Sequence, residues 1–481
     1  MTTIKLDPGA ALLLDALHGA GHAAYAVGGC VRDSLLGLDP HDWDLCTSAR
    51  PEQVMALFGE EKCIPTGLQH GTVTVKQGGR LYETTTFRTE GAYSDGRHPD
   101  AVCFVPDVRE DLARRDFTIN AMAYSAEEGL IDPFGGRDDL AAHLVRAVGE
   151  PERRFEEDAL RILRLYRFAA RFGFAIDPAT GAAARALGPH LDCVSAERIQ
   201  EELLKLLAAP RPGSYLEPAV LAVVLPELEP EKQPERFAEL CRTIDRIEPT
   251  AENVPARLAA LLWPLGEAGA RKALRKLKCS NALTDEVTAL VGEGVGSFLL
   301  GHEFELRHPA DALCLERHSH PAGRCPNSNS LFPPQAAVVA VAGHSIARPI
   351  ACGNRVPPQR TVLGETPGTP NTTLTVQAKR LLGRYELPTI QRLTDLCSAR
   401  HPEQTEAFAA LRAEAERLTA ENACCRVSQL AVNGRDLMAA GVRPGPGLRQ
   451  VLNALLEAVI TGQTSNEKAS LLAAAAQFSA S

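Results

Sequence analysis

The residues best suited to chemistry lie near the beginning of the chain, where a glycine pair is followed by two aspartates. Gly28 and Gly29 are adjacent, and Asp42 and Asp44 are separated by one residue. A glycine pair leaves bare backbone that a phosphate can approach closely. Aspartates at positions i and i+2 of a strand point to one face, and their oxygens are suitable ligands for Mg²⁺. Together the two features predict nucleotidyl transfer, with a polar-faced hairpin as the structural alternative.

A third acidic residue, Glu83, lies in the alternating segment 81–87, which the pattern predicts to be a strand. A sheet would bring it close to Asp42 and Asp44. Three carboxylates can hold two Mg²⁺ ions, of which one lowers the pKa of an attacking hydroxyl and the other binds the triphosphate and the leaving group. We therefore expect Asp42, Asp44 and Glu83 to be catalytic, with the two aspartates as metal ligands. An exposed strand residue is the alternative for Glu83.

Adjacent arginines precede an aspartate and an asparagine that are one helical turn apart. These residues are Arg114, Arg115, Asp116 and Asn120. A guanidinium group binds phosphate oxygens through two parallel hydrogen bonds, and an asparagine side chain can bond a ribose hydroxyl. The segment therefore predicts contacts to the phosphates and the sugar of a nucleotide.

A second charged segment, residues 157–164, is predicted to begin a helix that continues to Phe172. Asp158 and Arg161 are three positions apart on it and would share a face with Arg164. The ordinary interpretation is an ion pair on a solvated surface. The alternative is that the aspartate and the arginine present acceptors and donors to the edge of a nucleobase.

Arginines recur along the same segment at spacings of 7, 3 and 7, at Arg154, Arg161, Arg164 and Arg171. We expect them to form one basic strip on an otherwise acidic protein, whose net charge is −9. A protein that coats long nucleic acid would be basic overall. The strip would supply the local positive charge that a compact nucleic acid needs.

The bulk composition is that of an ordinary soluble globular protein, with 45% hydrophobic and 23% charged residues. The length of 481 residues allows about three domains. No apolar run is long enough for a membrane span, and residues 1–21 lack the pattern of a secretion signal, so we expect a cytoplasmic protein. The 13 cysteines are irregularly spaced and are expected to be buried free thiols.

The elements that must position these residues follow from hydrophobic periodicity. We expect helices over 12–22, 51–58, 157–172 and 196–207, and strands over 23–27, 43–47, 72–75 and 81–87. Gly78 and Gly79 would join the last two strands. The pattern thus predicts an α/β unit up to about residue 145, followed by helix after helix.

Residues 301–375 interrupt the helical pattern with crowded prolines and no sustained period. A disordered insertion, a metal-binding module and a locally frame-shifted coding sequence are three interpretations. The candidate zinc ligands are His302, His308, Cys314, His318, His320 and Cys325. They include no C-x₂-C pair, and their spacing is not that of a zinc finger, which disfavours zinc.

Seven motifs occur in a fixed order along the chain: GGCVRD, DWDL, TTFRTE, RRDFTINAMAY, DPFGG, EEDALRILR and ERIQEE. In this order they resemble the bacterial class II CCA-adding enzymes, tRNA nucleotidyltransferases of the polymerase β-like superfamily, over residues 20–207. The resemblance resumes near Ala378 and at residues 432–437. It implies an α+β protein with an N-terminal polymerase β-like nucleotidyltransferase palm followed by an all-helical neck, body and tail. The expected domains are a head at 1–145, a neck with a nucleobase-selecting motif at 146–210, a body at 211–300, the irregular insertion at 301–375, and a body and tail that bind tRNA at 376–481.

The resemblance also implies roles for single residues. The implied nucleotide-binding residues are Gly28, Gly29, Arg32 and Asp33 for phosphate and sugar, Arg115, Asp116 and Asn120 for ribose, and Glu157, Asp158, Arg161 and Arg164 at the base-selecting motif. Glu197 and Arg198 match a motif that stabilises the neck. Residues 90–99 match a flexible loop that family members use in switching to ATP.

Enzymes of this kind add C, C and A to the 3′ end of tRNA from CTP and ATP without a nucleic-acid template. We expect this activity here, with Mg²⁺ as cofactor and with tRNA, CTP and ATP as partners. The alternatives are an A-adding or CC-adding tRNA nucleotidyltransferase, a bacterial poly(A) polymerase and a non-catalytic RNA-binding protein. The acidic balance argues against the poly(A) polymerase, which typically carries a basic extension, and the intact loop argues against the CC-adding enzyme.

Overall fold

The computed structural model describes residues 3–90, 102–293 and 372–478. Most of the loop predicted at residues 90–99 and most of the irregular segment 301–375 lie outside the described residues, as do all six candidate zinc ligands.

A seven-stranded mixed sheet forms the N-terminal unit. The strands of the chain are β1 (Ala24–Val27), β2 (Leu45–Thr47), β3 (Cys63–Gly67), β4 (Thr72–Gln77), β5 (Arg80–Thr86), β6 (Arg88–Glu90), β7 (Val102–Phe104), β8 (Ala123–Ser125), β9 (Gly129–Ile131), β10 (Leu144–Val145) and β11 (Ala175–Ile176). The sheet has the order β3-β4-β5-β2-β1-β8-β9, in which β2 and β5 are parallel and the other neighbours are antiparallel. The strands β6 with β7, and β10 with β11, form two small separate pairs.

The hairpin of β4 and β5 confirms the predicted turn. Gly78 and Gly79 both have positive φ angles, 58° and 79°, which other residues rarely adopt. The register pairs Val75 with Tyr82, and both side chains are buried. Pairing continues up to the turn, so β4 extends two residues beyond its predicted end.

Five helices accompany the sheet in this unit: α1 (Pro8–Gly19), α2 (Gly29–Leu35), α3 (Pro51–Phe58), α4 (Val108–Ala113) and α5 (Gly136–Ala141). Helix α1 begins at Pro8 rather than at Leu12, because the carboxylate of Asp7 accepts the N–H groups of Gly9 and Ala10 at 2.9 and 3.2 Å. Helix α3 has the predicted bounds.

The rest of the described chain is largely helical, which confirms the α+β class. Its helices are α6 (Pro151–Glu157), α7 (Leu160–Phe172), α8 (Pro178–Ala186), α9 (Ala196–Leu207), α10 (Pro218–Val224), α11 (Pro234–Arg246), α12 (Val254–Leu262), α13 (Gly266–Lys276), α14 (Asn281–Gly292), α15 (Thr372–Arg384), α16 (Leu387–Arg400), α17 (Thr405–Ala420), α18 (Gly434–Ala439), α19 (Pro446–Ile460) and α20 (Lys468–Phe478). The helix predicted over residues 157–172 is confirmed from Leu160 to Phe172, but it begins three residues late, because the chain leaves helical geometry between α6 and α7.

One continuous apolar core extends from the sheet through α7, α9 and α12 to α17. Two further clusters are separate from it. One lies in the sheet unit and includes Tyr25, Phe87 and Leu112, and the other is formed by α18, α19 and α20 near the end of the chain. None of the helices in the three described ranges combines the length and the apolar composition that a membrane span needs. Every cysteine within those ranges is free, but Cys103 and Cys193 are exposed instead of buried.

A buried arginine connects α9 to the helices that follow it. Arg257 of α12 is fully buried, and its guanidinium donates to the carbonyl oxygens of Leu207, Ala209 and Ile247 at 2.6, 2.5 and 2.6 Å. These carbonyls lie at the carboxyl ends of α9 and α11, where the helix supplies no further donors and a positive charge is favourable. The side chain therefore fixes three helices to one another.

Replacing Arg257 with leucine is expected to lower the free energy of unfolding by about 3 kcal/mol, because several buried carbonyl groups lose their donor. The midpoint of urea unfolding measures this loss. Arg275→Leu, on the exposed side of α13, is the matched control and should shift the midpoint little. Equal shifts for the two variants would contradict the role assigned to Arg257.

Candidate active site

The glycine pair turns the chain from β1 into α2. Gly28 has a φ angle of 76°, and its N–H donates to the carbonyl of Met122 at 3.1 Å. A Cβ atom at Gly28 would lie 2.9 Å from Nη1 of Arg115. Glycine is therefore required both by the backbone conformation and by the closeness of a guanidinium group. The chain continues into a helix, so the hairpin alternative is wrong.

Asp42 and Asp44 precede β2 instead of lying within it. The strand begins at Leu45, so the predicted strand 43–47 is two residues too long. The backbone carbonyl of Asp44 accepts the N–H of Val27 at 2.9 Å, which attaches this residue to the end of β1. The aspartates are therefore held beside the chain that leads into the glycine turn.

The parallel register of β2 and β5 places Glu83 next to Asp44. Leu45 pairs with Thr84, so the residues that precede them are neighbours on the other face of the sheet. The side chains of Asp42, Asp44 and Glu83 are all exposed. The sheet thus brings the third carboxylate to the two aspartates, as the alternating pattern predicted.

The three carboxylates of this acidic group are close enough to influence one another, but the described side chains do not form a complete set of metal ligands. Partial removal from water and the charge of Glu83 raise the pKa of Asp44, Arg115 opposes the shift, and Asp42 adds to it. Within the described residues, no three His, Cys, Asp or Glu side chains are grouped closely enough to hold a metal ion. The three-carboxylate holder for two metal ions therefore stays a prediction.

The chemistry of the donors nevertheless fits a divalent cation. Asp42 and Asp44 offer exposed, hard oxygen ligands beside the glycine turn. A cation that keeps few protein ligands and takes the others from water and phosphate oxygens is typical of Mg²⁺ at nucleotide sites. Two aspartates would be sufficient for that mode of binding.

Arg114 and Arg115 share one buried carboxylate. Asp111 of α4 is fully buried and accepts Nε and Nη2 of Arg114 at 3.0 and 2.9 Å, and Nη2 of Arg115 at 3.3 Å. Burial alone would raise the pKa of Asp111, but the two guanidinium groups hold that pKa below its usual value. Asp111 therefore stays charged and fixes Arg115 against Gly28.

Asp116 is the centre of a buried network between the sheet unit and α7. Its Oδ2 accepts Nε and Nη2 of Arg164 at 2.9 and 2.6 Å, and its Oδ1 accepts Nδ2 of Asn120 at 3.0 Å. Burial alone would raise the pKa of Asp116, yet Arg164 and the Asn120 hydrogen bond hold it well below the ordinary value. The structure thus brings Asp116, Asn120 and Arg164 together.

Arg32 and Asp33 belong to the same network. Only 3% of Arg32 and 8% of Asp33 is exposed. Nε of Arg32 donates to Oδ1 of Asp33 at 2.7 Å, Nη1 donates to Oδ1 of Asn120, and Arg171 of α7 contacts Asp33 at 3.2 Å. Arg32 therefore has little surface with which to touch a phosphate, and its position favours a supporting role.

The chain leaves helical geometry at Asp158, which has a φ angle of −147°. Its carboxylate does not pair with Arg161. Instead it accepts Nη1 and Nη2 of Arg198, from α9, at 3.3 and 2.8 Å, and the N–H of Leu160 at 3.1 Å. The predicted shared helical face of Asp158 and Arg161 is therefore wrong, because a distant arginine offers the carboxylate two donors.

Arg161 is held from the other side of the break. Its Nη1 donates to Glu157 at 2.8 Å and to the carbonyl of Arg154 at 3.1 Å, and its Nη2 donates to the carbonyl of Arg114 at 3.0 Å. Its N–H also donates to the carbonyl of Asp158 at 3.0 Å, which keeps the two residues adjacent. A cleft of about 420 Å³ lined by Arg114, Arg154 and Glu157, among others, opens beside this junction.

The predicted basic strip is not an exposed surface. Arg154 and Arg161 are buried, and Arg164 is partly buried against Asp116. Arg171 is exposed but paired with Asp33. The helical spacing correctly predicted a shared face only for the arginines within α7. It did not predict that carboxylates from the sheet unit would cover that face.

Two contacts in this geometry were not predicted from the charge pattern. Asp111 lies three and four positions before the two arginines that it holds, a spacing that favours ion pairs in a helix and would have identified it. Arg154 donates to the carbonyl of Ala113, and no local sequence signal indicates that contact. Arg198 matched a neck-stabilising motif, and its contact with Asp158 is in keeping with that match.

Family models match three parts of the chain. A model described as "Poly A polymerase head domain" matches residues 24–146, and one for a second tRNA nucleotidyltransferase domain matches residues 375–475. A third, described as "Probable RNA and SrmB- binding site of polymerase A", matches residues 173–231.

Similar curated proteins are CCA-adding enzymes. A CCA-adding enzyme of Lactobacillus helveticus is 42% identical over 281 residues, which are 58% of this chain and 69% of that protein. The chain belongs to the family of bacterial CCA-adding enzymes. The CCA-adding enzyme of Geobacillus stearothermophilus is likewise 42% identical, over 58% of this chain and 68% of its own length. For that of Limosilactobacillus fermentum, identity is 49%, but the match covers only 48% of its length.

Solved structures extend the similarity over the whole chain. The crystal structure of the Bacillus stearothermophilus CCA-adding enzyme in complex with CTP has a TM-score of 0.68 and 30% identity, and covers 98% of both chains. A Thermotoga maritima CCA-adding enzyme complexed with tRNA shares the fold, with a TM-score of 0.60 at 20% identity. Nucleotidyltransferases of this family generally use a divalent metal ion.

The lowered pKa of Asp116 predicts a specific pH dependence. Because that pKa is depressed by folding, the ion pair contributes stability above the unfolded value near pH 4 and loses it as the pH falls further. We expect Asp116→Asn to reduce the free energy of unfolding by about 2 kcal/mol at pH 7, and the gap to the parent protein to shrink from roughly pH 5 downward. Urea unfolding measured from pH 7 to pH 3.5 tests this.

The exposed Asp15→Asn serves as the control and should leave the pH profile unchanged. A gap between Asp116→Asn and the parent protein that stays constant over the whole pH range would contradict the ion-pair account.

Proposed function

We propose that the chain is a CCA tRNA nucleotidyltransferase, which adds C, C and A to the 3′ end of tRNA from CTP and ATP without a nucleic-acid template. The observation that carries the proposal is the whole-length similarity to a CCA-adding enzyme solved with CTP, at 30% identity over 98% of both chains. The reaction would occur in the cytoplasm, where tRNA and both nucleotides meet.

The triphosphate would lie at the glycine turn. Gly28 and Gly29 leave room for phosphate oxygens, and Arg115 lies beside this turn with its charge fixed by Asp111. Asp42 and Asp44 would hold Mg²⁺, with Glu83 next to them. When bound, the ion would favour the deprotonated 3′-hydroxyl of tRNA and neutralise charge on the triphosphate. That oxygen then forms a bond to the α-phosphorus, and pyrophosphate leaves.

The sugar would be positioned by the network around Asp116. Asn120 has its side-chain amide fixed by Asp116 on one side and by Arg32 on the other. An amide fixed in this way can present a defined edge to a ribose hydroxyl. Arg164 and Asp33 complete the network, and we assign them to holding this group rather than to chemistry.

The base would be read at the break between α6 and α7. An arginine has five N–H donors. Three donors of Arg161 are used in the hydrogen bonds described above, two on Nη1 and one on Nη2. Two donors are therefore left without an acceptor among the described residues. The carboxylate of Asp158 accepts three hydrogen bonds and has about four lone-pair sites, so about one acceptor remains.

One acceptor next to two donors complements cytosine, which presents an amino group, a ring nitrogen and a carbonyl oxygen along its pairing edge. Adenine presents the first two of these groups. Uracil and guanine carry an N–H where C and A carry the acceptor nitrogen, and this N–H would face the donors of Arg161. Glu157 contributes by holding Arg161 in place. Discrimination would follow from the cost of leaving buried polar groups unpaired.

A poly(A) polymerase is the second candidate, because the family model at residues 24–146 is described by that activity. The two are distinguished by tRNAs that end before the first C, before the second C and before A, each incubated with CTP, ATP or both. We expect CTP to extend the first two and ATP only the third, with addition stopping after A. Continued addition of A to any RNA would support the polymerase instead.

Asp42→Ala is expected to abolish both C and A addition, because the metal serves every step. The rate of nucleotide addition should fall by roughly a thousandfold or more. Asp39→Ala, an exposed aspartate three residues earlier, is the control and should remain active. Full activity of Asp42→Ala with Mg²⁺ would remove the metal assignment.

Arg161→Ala is expected to lower the preference for CTP over UTP by roughly a hundredfold, because the two donors that face the base are lost. Competition assays with both nucleotides measure this ratio, and a filter-binding assay measures tRNA affinity, which should change little. Arg154→Ala removes another buried arginine that contacts Glu157, and serves as the control. Unchanged selectivity in Arg161→Ala, or equal loss in both variants, would exclude Arg161 from base reading.

A further inference from the structure

Four arginines converge on two stacked rings of α7. The rings of Phe168 and Phe172 are 6.2 Å apart between centroids and nearly parallel, with an angle of 2°. The guanidinium of Arg32 lies 5.3 Å from the centroid of Phe168 and 4.8 Å from that of Phe172. Arg164 and Arg167 lie 5.3 and 4.3 Å from Phe168, and Arg171 lies 5.0 Å from Phe172. Phe168 alone is therefore in contact with three guanidinium groups.

The stack joins two parts of the fold. Arg32 belongs to α2, next to the glycine turn, whereas the other arginines belong to α7. Each of the four also has a carboxylate partner. The ion pairs are Arg32–Asp33 at 2.7 Å, Arg164–Asp116 at 2.6 Å, Arg167–Glu202 at 3.1 Å and Arg171–Asp33 at 3.2 Å. Each guanidinium group is therefore close both to a carboxylate and to an aromatic ring.

The ion pairs alone do not offset the repulsion among four arginines that lie so close together. Burial, and with it the nearby charges of Arg164 and Arg171, lowers the pKa of Arg167 to about 10. The face of an aromatic ring carries negative potential and attracts a cation without adding a further carboxylate. Phe168 is 4% exposed, so water does not weaken its contacts strongly.

We propose that Phe168 is a positioning residue for nucleotide addition: its ring fixes the guanidinium planes of Arg164 and Arg32, and through them Asp116 and Asn120. This inference rests on the proposed function, in which Asn120 contacts the ribose. Arg164 binds Asp116, Asp116 binds Asn120, and Asn120 binds Arg32, so both ends of this chain of contacts lie on the same ring. The π face of the ring, and not its volume alone, carries this role.

Phe168→Leu tests the proposal, because leucine retains apolar bulk and lacks the π face. We expect KM for CTP and ATP to rise roughly tenfold with kcat little changed, and Phe168→Tyr to restore KM. Phe174→Leu is the matched control. Phe174 is also buried, and its ring centroid lies 5.5 Å from that of Phe172, but none of the described guanidinium groups lies over its ring. Phe168→Leu should lower the melting temperature at least as much as Phe174→Leu, because it also loses cation–π contacts.

A second measurement separates the π face from packing. Mono-, di- and trifluorophenylalanine at position 168 weaken the negative potential of the ring with almost no change in shape. We expect KM for CTP to rise with each added fluorine at position 168 and to stay constant when the same series is placed at position 174. A flat response at position 168, or equal KM values for Phe168→Leu and Phe174→Leu, would overturn the proposal.

The parent protein separates this test from that of the proposed function. If the parent protein incorporates neither CTP nor ATP into tRNA, the proposed function fails, and the role of Phe168 in nucleotide addition fails with it. If the parent protein is active and the fluorinated series is flat, the proposed function stands and the role of Phe168 is wrong.

Discussion

The ion pair between Asp116 and Arg164 is the interaction on which the geometry of the candidate site depends. A carboxylate that is removed from water costs stability unless a cation and hydrogen-bond donors replace the lost solvation. Asp116 receives both, from Arg164 and from Asn120. Because Asn120 also accepts from Arg32, the residues next to the glycine turn and those proposed to position the sugar form one connected set. A displacement of α7 would therefore disturb the whole set and not only the residues proposed to read the base.

Competition for donors also explains the break between α6 and α7. In a continuous helix, Asp158 would face Arg161 one turn later. Arg198 instead supplies two parallel donors, and Glu157 takes the place of Asp158 as the partner of Arg161. The acceptor and the donors proposed to read the base are thus held by different helices, α9 and α6. Selectivity would then depend on how α6, α7 and α9 pack, because each supplies one part of the reading edge.

Local patterns predicted the elements whose ends carry their own signals. Pro51 marks the start of α3, and the glycine pair 78–79 marks the hairpin of β4 and β5. The alternation around Glu83 also brought it to the correct strand. The failures are tertiary. The spacing of Asp158 and Arg161 is the same in a continuous and in a broken helix, and the residue that decides between them is 40 positions away.

The exposed carboxylates differ from the buried charges in what can stabilise them. Asp116 has its cation supplied by the fold, whereas Asp44 is affected by two carboxylates and by one cation, Arg115. The same guanidinium lies against Gly28, where a triphosphate would bind. A triphosphate at that turn would compete with Asp44 for Arg115 and would leave the aspartates with greater need of a divalent cation. Nucleotide and metal should therefore bind cooperatively, since the metal supplies the positive charge that the triphosphate takes away from Asp44.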